Sequence, residues 1–378
     1  MELSIEYIYD IDCSNGTDSG TDSDTGCSPE IHPIRVAVPV FIAVFSVVGL
    51  VGNVCMMYAI LRYSHMRTVP NVLIFNLAMA DLLYILVTTP IYVKHELEPA
   101  FHLSAPACKL KNYVAFVAQH ASVFALAALS RERHSAIVGG MEARRGGDSC
   151  ASGSRVTVAV MWLVAFIVCI PTLVFAHVIG EQCKYSPSDR SLARVYECLH
   201  FLVGYTIPLI IVGFYYTKIA MSLFHSTHSF QNDYVSDAMA QQIRVRKRLA
   251  VSVLVIAIFF AVCWFPYFFY YLWINFAPQD EFMLVPFPSA ADVLRYIGLV
   301  APVINTCMDP WLLFVISSRH RACLVRCLCG GCFCCSREGA LEKRDGQGMS
   351  MTTMSRSHTG KSRMFPGAGT SFSRLSRV

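Results

Sequence analysis

Seven long apolar stretches divide the chain, near residues 36–61, 71–93, 108–131, 156–178, 200–224, 249–274 and 293–316. A helix needs about 20 largely apolar residues to cross the hydrocarbon of a bilayer, and each stretch is long enough. Backbone polar groups in lipid must be bonded within their own segment, so seven membrane-spanning helices are the expected elements. None of the stretches is smooth. Pro90, Pro171, Pro208, Pro266 and Pro310 fall inside them, and an interior proline removes a backbone donor and opens a kink. Asp81 lies within the second, in Asn76-Leu-Ala-Met-Ala-Asp81. A carboxylate at the centre of a membrane helix costs about 2.5–3.5 kcal/mol even on insertion scales, so Asp81 is expected to face a polar cavity inside a bundle.

Composition agrees with this pattern. The 378 residues are 54% hydrophobic and 15% charged, the balance of a membrane protein rather than a soluble one. Charge then sets orientation. Residues 1–34 hold eight Asp or Glu and no Lys or Arg. The connections on the opposite side carry Arg62 and Arg67, then Arg144, Arg145 and Arg155, then Arg244, Arg246, Lys247 and Arg248. Positive loops stay on the cytoplasmic side, so the N-terminus is expected outside and the C-terminus inside. The first residues are acidic and show no cleavable signal peptide, which leaves the first span as the insertion signal. Asn15-Gly-Thr17 is a glycosylation sequon on the outer side.

Four regions follow: an acidic arm over 1–35, the bundle over 36–316, a short helix with a cysteine cluster over 317–335, and a polar tail over 336–378. Arg319, Arg321 and Arg326 alternate with Leu324, Val325 and Leu328, a pattern suited to an amphipathic helix on the inner leaflet. The tail is rich in Ser, Thr, Gly and Arg, which predicts disorder and sites for phosphorylation. Among the sixteen cysteines, Cys55, Cys169, Cys263 and Cys307 lie in spans, where they serve as small apolar side chains. Cys13, Cys27, Cys108, Cys183 and Cys198 fall on the oxidising side and are free to pair. Cys327, Cys329, Cys332, Cys334 and Cys335 crowd the inner side beside Cys323. Their apolar spacing and basic flank favour palmitoylation over a zinc site.

An ordered set of motifs carries a resemblance. Gly52-Asn53 stands in the first span and Leu77-Ala-Met-Ala-Asp81 in the second. Cys108 heads the third, which closes on Glu132-Arg133-His134, and Trp162 lies in the fourth. Pro208 and Tyr216 mark the fifth, Cys263-Trp-Phe-Pro266 the sixth, and Asn305-Thr-Cys-Met-Asp-Pro310 the seventh. Taken together they resemble the rhodopsin-like (class A) G-protein-coupled receptors from end to end. Met66-Arg-Thr-Val-Pro-Asn71, Ser122-Val-Phe124 and Arg246-Lys-Arg-Leu-Ala250 look like the bombesin/endothelin peptide receptor group. Leu313 followed by Phe314, where most of the family has tyrosine, fits that group as well. Val293-Leu-Arg295, Gly298 and Pro278-Gln-Asp280 look most like the arthropod CCHamide neuropeptide receptors.

The resemblance implies an all-α bundle of seven transmembrane helices with a short eighth helix, in the plasma membrane. It implies a Cys108–Cys183 bridge tethering the second outer loop, with Cys198 as the alternative partner. It implies a secreted peptide ligand, touched by Gln119, Trp264, Tyr267, Tyr271 and Arg295, and a Gq/11-type G protein with calcium signalling. Asn53, Asp81, Ser122, Asn305 and Asp309 resemble an internal polar network, with Asp81 and Ser122 as ligands of an allosteric sodium ion. A network without an ion is the alternative. Val123, Pro208, Phe260, Trp264, Pro266 and Pro310 resemble the activation hinge. Glu132, Arg133, Tyr216, Arg246 and Lys247 resemble the G-protein contact, with Glu132 holding the Arg133 guanidinium at rest. Arrestin, a receptor kinase and membrane lipid are the further expected partners, and nucleic acid is not one.

Several residues depart from the pattern. Glu132-Arg133-His134 replaces the usual Asp-Arg-Tyr, Gly139-Gly140 replaces an inner-loop proline, and Phe101 and Asp309 replace Trp and Asn. Ala115 stands where bombesin receptors carry a pocket glutamine. These changes keep open a peptide-binding decoy with weak coupling, or a receptor for another peptide class. A transporter using Asp81 as an ion relay fits less well, because seven spans show no internal repeat. No nucleophile–base pair stands at an interpretable spacing, so no enzyme is expected.

Overall fold

The computed structural model describes residues 33–98, 103–138, 147–179, 182–229, 237–277 and 290–328. Seven helices among them are long and apolar enough to cross a membrane: Val36–Arg62, Val69–Leu97, Ala105–Val138, Gly153–Phe175, Arg190–Ser222, Lys247–Phe276 and Ala290–Ile316. They are spans one to seven below. Most run past the apolar stretches read from the sequence, because helical hydrogen bonding continues where apolarity stops. Span five shows this most clearly. It begins ten residues before the expected start, where the Asp189 carboxylate accepts from the Leu192 N–H at 2.8 Å and caps the helix. Cys198 therefore lies inside a helix rather than at its mouth.

Span three is the axis of the bundle. Of its most apolar window 67% is buried inside the protein, against 22% for spans four and five, whose remaining side chains face outward. Spans two, four, five and six all pack on span three. Small residues allow the closest approaches. A Cβ placed on Gly49 would meet Cys307 Cα at 2.8 Å, and one on Gly298 would meet Tyr267 Cα at 3.1 Å. Spans one and seven, and six and seven, thus touch nearly backbone to backbone.

The prolines do not all act as kinks within continuous helix. Pro90, Pro266 and Pro310 do, joined by Pro39 and Pro302. Pro171 instead opens a short helical segment after a break at Cys169. Pro208 follows a wide turn of π-helix over Leu202–Thr206. A proline removes the ordinary helical donor, and both the break and the π turn accommodate that loss without a single sharp bend.

At one end of the bundle, strands β1 (His177–Ile179) and β2 (Gln182–Lys184) form an antiparallel hairpin with Val178 opposite Cys183. At the other end a helix over Ser318–Leu328 packs on spans one and seven. Its Cys323 is buried with Ala59 and Met66, while Arg321 and Val325 are exposed.

Candidate functional site

A disulfide joins Cys108, at the start of span three, to Cys183 on β2. It pins the hairpin to the bundle, and Asn112 one turn further on donates to Cys183 Sγ at 3.0 Å. The residue after β2, Tyr185, is buried between Phe116 and Tyr271, with ring centroids 4.8 and 5.1 Å away. Burial next to the Glu197 carboxylate raises its hydroxyl pKa well above the ordinary tyrosine value. Below it the rings stack inward. Tyr271 lies 4.7 Å from Tyr267, and Tyr267 lies 5.7 Å from Trp264. Helical periodicity turns Phe265 and Phe269 outward, where both are exposed.

Arg295 sits at the rim of this end and pairs with Glu96 of span two at 3.9 Å. Its guanidinium lies 5.8 Å from the Tyr296 ring. Gln119 is elsewhere: it is 2% exposed, and its amide donates to the Gly204 carbonyl at 2.6 Å. Pro208 explains that bond. With no N–H of its own, it leaves the carbonyl four residues earlier without its helical donor.

At mid-depth the residues around Asp81 come together from four spans. The Ser122 hydroxyl donates to Asp81 Oδ1 at 3.4 Å, and Asn305 Nδ2 donates to Asp309 Oδ1 at 3.2 Å. Trp264 Nε1 donates to Asn305 Oδ1 at 3.2 Å, so the ring stack is bonded to the polar centre. Asn53 spans to the carbonyls of Gly49 and Thr306 at 3.1 and 3.0 Å. Three buried oxygens remain without a hydrogen-bond partner among the described residues: Asp81 Oδ2, Asp309 Oδ2 and Asn53 Oδ1. Two carboxylates and an amide oxygen form a hard, oxygen-only donor set, the chemistry that suits a small cation. Val123 and Phe260 are fully buried beside this centre, with Phe260 5.8 Å from Trp264.

At the far end Arg133 is 6% exposed, and its Nε has no partner among the described residues. The Glu132 carboxylate acts electrostatically on the Arg133 guanidinium, as the resting pair expected from the sequence requires, without closing to ion-pair distance. Among the described residues, ion pairs join Lys94 to Glu98 and Arg295 to Glu96, and none joins Glu132 to Arg133. Consecutive residues on a helix point about 100° apart, so a neighbour reaches less readily than a residue one turn away. Tyr216 donates to the Ala250 carbonyl of span six at 2.8 Å. Lys247 and Arg248 are exposed at the base of span six. The side chains of Arg246 and Cys327 lie outside the described residues, as do Asn15, Phe101, Gly139, Gly140 and Cys329, Cys332, Cys334 and Cys335.

Residues 52–313 match the family model for the 7 transmembrane receptor (rhodopsin family). The chain belongs to this receptor family. It is accordingly a multi-pass membrane protein, and its family is one of receptors rather than enzymes. It is similar to bombesin receptor subtype-3 of Ovis aries, 30% identical over 77% of this chain and 74% of that one. It is also similar to the neuropeptide CCHamide-1 receptor of Drosophila melanogaster, 31% identical over 83% of this chain and 63% of that one.

The receptor brings Trp264, Tyr267 and Tyr271 into one stack and Asp81, Ser122, Asn305 and Asp309 into one polar centre. It separates Gln119 from Arg295: one is spent on span five, the other on Glu96. Several polar residues of the receptor had no place in the sequence reading, among them half-buried Glu96 and buried His120, Tyr185, Glu197 and His200. Glu197 and His200 offered a signal. They stand three apart in a helix and so share a face.

Proposed function

We propose that this receptor sits in the plasma membrane with its disulfide end outward and takes a secreted peptide of the bombesin or CCHamide kind. The observation that carries this reading is the likeness to two receptors named for such peptides over about four-fifths of the chain. The geometry is compatible: Tyr185, Tyr267 and Tyr271 line a mouth held under the Cys108–Cys183 tether, with Arg295 and Glu96 at its rim. A peptide that displaces Tyr271 presses on Trp264 through Tyr267, and Trp264 is bonded to the polar centre.

In this reading Asp81 and Ser122 would hold a sodium ion, with the free oxygens of Asp309 and Asn53 turned to it and Asn305 orienting Asp309. The ion would offset the burial of two carboxylates and stabilise the resting arrangement. Arg133, with Tyr216, Glu132, Arg246 and Lys247 around it, meets a Gq/11-type G protein when span six moves out and the Tyr216–Ala250 bond breaks. Calcium release follows. Arrestin and a receptor kinase act on the same side, where the tail cysteines are palmitoylated, and Asn15 is glycosylated on the other.

The test is calcium release from cells expressing the receptor, challenged with bombesin-like and CCHamide-type peptides. Dose-dependent release abolished by Arg133→Ala is the expected result. Silence across the panel with surface expression established removes the assignment to this peptide group.

A further inference from the structure

Between spans three and five, beneath Tyr185, lies a second group of buried polar side chains. His120 is 1% exposed, Glu197 2% and His200 7%. The two imidazoles stack with centroids 5.3 Å apart and planes 19° from parallel. His120 Nδ1 lies 2.8 Å from the Phe116 carbonyl oxygen and must donate to it, which leaves Nε2 of the neutral ring as an acceptor. That Nε2 has no partner among the described residues, nor do both nitrogens of His200, Glu197 Oε1 or Gln119 Oε1. Glu197 Oε2 accepts, among the described residues, only a 3.4 Å bond from the Tyr185 hydroxyl. Among the described residues no Lys or Arg pairs with Glu197.

Two of these acceptors converge, and the stacked imidazoles bring His200 beside them. A Cβ built on Gly204 would stand 3.0 Å from His120 Nε2 and 3.1 Å from Gln119 Oε1, so both acceptors face one point. Phe116, Phe268 and Tyr196 wall His200 at 4.3, 5.2 and 6.2 Å between centroids. A buried polar atom with no bond carries a desolvation cost that nothing offsets. The unmet atoms are mostly acceptors, one is a carboxylate oxygen, and their walls are aromatic faces. Water satisfies a neutral acceptor, whereas Glu197 can carry its charge at this burial only beside a counter-charge. A donor-rich cation satisfies the acceptors among them at once, through charge-assisted bonds and the ring faces, and leaves only the His200 N–H.

We propose that Glu197, His200, His120 and the Gln119 carbonyl form a subsite for a basic group of the ligand, an ammonium or a guanidinium. The inference rests on the reading of the disulfide end as the ligand mouth. Tyr185 is the roof: it bonds Glu197, touches Tyr271, and directly follows the tethered strand β2. Phe268 is the floor, touching His200 at 5.2 Å and Trp264 at 6.2 Å. A group that enters past Tyr185 therefore reaches the Trp264 stack through one ring.

The test uses the full-length receptor in detergent, labelled with 15N-histidine and titrated with methylguanidinium, n-butylammonium or uncharged n-butanol. Variants His120→Phe and His200→Phe assign the imidazole signals. Both cations should shift the His120 and His200 nitrogens saturably while n-butanol does not. Glu197→Gln should weaken cation binding roughly tenfold or more, and Glu197→Asp should keep the preference for cations at lower affinity. The tighter cation distinguishes an amine, from lysine or a peptide N-terminus, from arginine. Equal response to n-butanol, or an unchanged titration in Glu197→Gln, overturns the subsite. Should Glu197→Gln fail to fold, His200→Phe serves, since a ring of similar shape sits among the same aromatics; unaltered cation binding there, read from the His120 signal, also overturns it. A calcium-silent peptide panel beside a cation-selective, Glu197-dependent titration removes only the peptide assignment. An active panel beside an indifferent titration removes only the subsite.

Discussion

Asn53 should be coupled energetically to Pro310, although the two stand on different helices. Pro310 has no N–H, so the Thr306 carbonyl one turn earlier loses its helical donor. Asn53 Nδ2 reaches that oxygen from span one at 3.0 Å. Asn53 is 1% exposed, so solvent offers little replacement. Asn53→Ala therefore strands a buried carbonyl, at a cost of about 1–3 kcal/mol. Pro310→Ala restores an N–H one turn beyond Thr306, and the carbonyl then no longer depends on Asn53. In a double-mutant cycle the two substitutions should fall short of additivity by about 1 kcal/mol or more, against a scatter of about 0.3–0.5 kcal/mol for independent sites. The measurement is thermal unfolding of the four detergent-purified proteins at one scan rate, since such unfolding is governed by kinetics as well as equilibrium. Pro302→Ala is the control, because it restores a donor to Gly298 and not to Thr306; paired with Asn53→Ala it should be additive. Strict additivity of Asn53→Ala with Pro310→Ala refutes the reasoning.

Replacing Cys108 and Cys183 by Ala should lower the melting temperature and peptide affinity, and a reducing agent should then have no further effect. For a soluble chain a bridge across 75 residues is worth about 4 kcal/mol, and inserted spans should reduce that loss. Asp81→Asn should leave the fold intact and abolish the sodium dependence of agonist binding; sodium dependence that survives leaves only a polar network. Gly298→Ala places a methyl 3.1 Å from the Tyr267 backbone and should cost about 1–3 kcal/mol in a thermal assay, whereas Gly213→Ala, which meets nothing within 4 Å, should not. Arg295→Gln should change stability by less than about 1 kcal/mol, because its partner Glu96 is 3.9 Å away and the pair is partly exposed. The same variant should change peptide affinity in a binding assay.

The spans were legible because apolar length alone identifies a membrane helix. Their ends were less so. Asp189 begins span five well ahead of the apolar run, and a polar cap looks like loop to a reading based on hydropathy. The polar centre was legible because Asp81 has few uses inside lipid, and the seven motifs together gave its neighbours. The geometry at Arg133 was not. Motif spacing records that Glu132 and Arg133 are adjacent, but not how closely their side chains approach. His120, Tyr185, Glu197 and His200 stayed hidden for another reason. Their relation depends on spans three and five facing each other beneath a hairpin, and no local pattern encodes that.

The two carboxamides show most clearly what reading residue types leaves out. Asn53 and Gln119 both looked like site residues, one for an ion network and one for a ligand. In the folded receptor each donates to a carbonyl four residues before a proline: Thr306 before Pro310, and Gly204 before Pro208. Each proline strands one acceptor at a depth where water is scarce, and a side chain on another span meets it. The partners lie 253 and 85 residues apart in sequence, which hides the pairing from any local reading. A proline in a membrane helix nevertheless predicts that such a donor exists. It is to be sought among Asn and Gln on the apolar faces of other spans. Gln119 keeps one free atom after this service, its Oε1, and that atom points with His120 toward Gly204. The bond that holds span five in its π turn therefore also orients an acceptor of the proposed cation subsite, so Gln119→Leu should disturb both together, while Gln119→Glu should spare the acceptor and weaken the span-five contact.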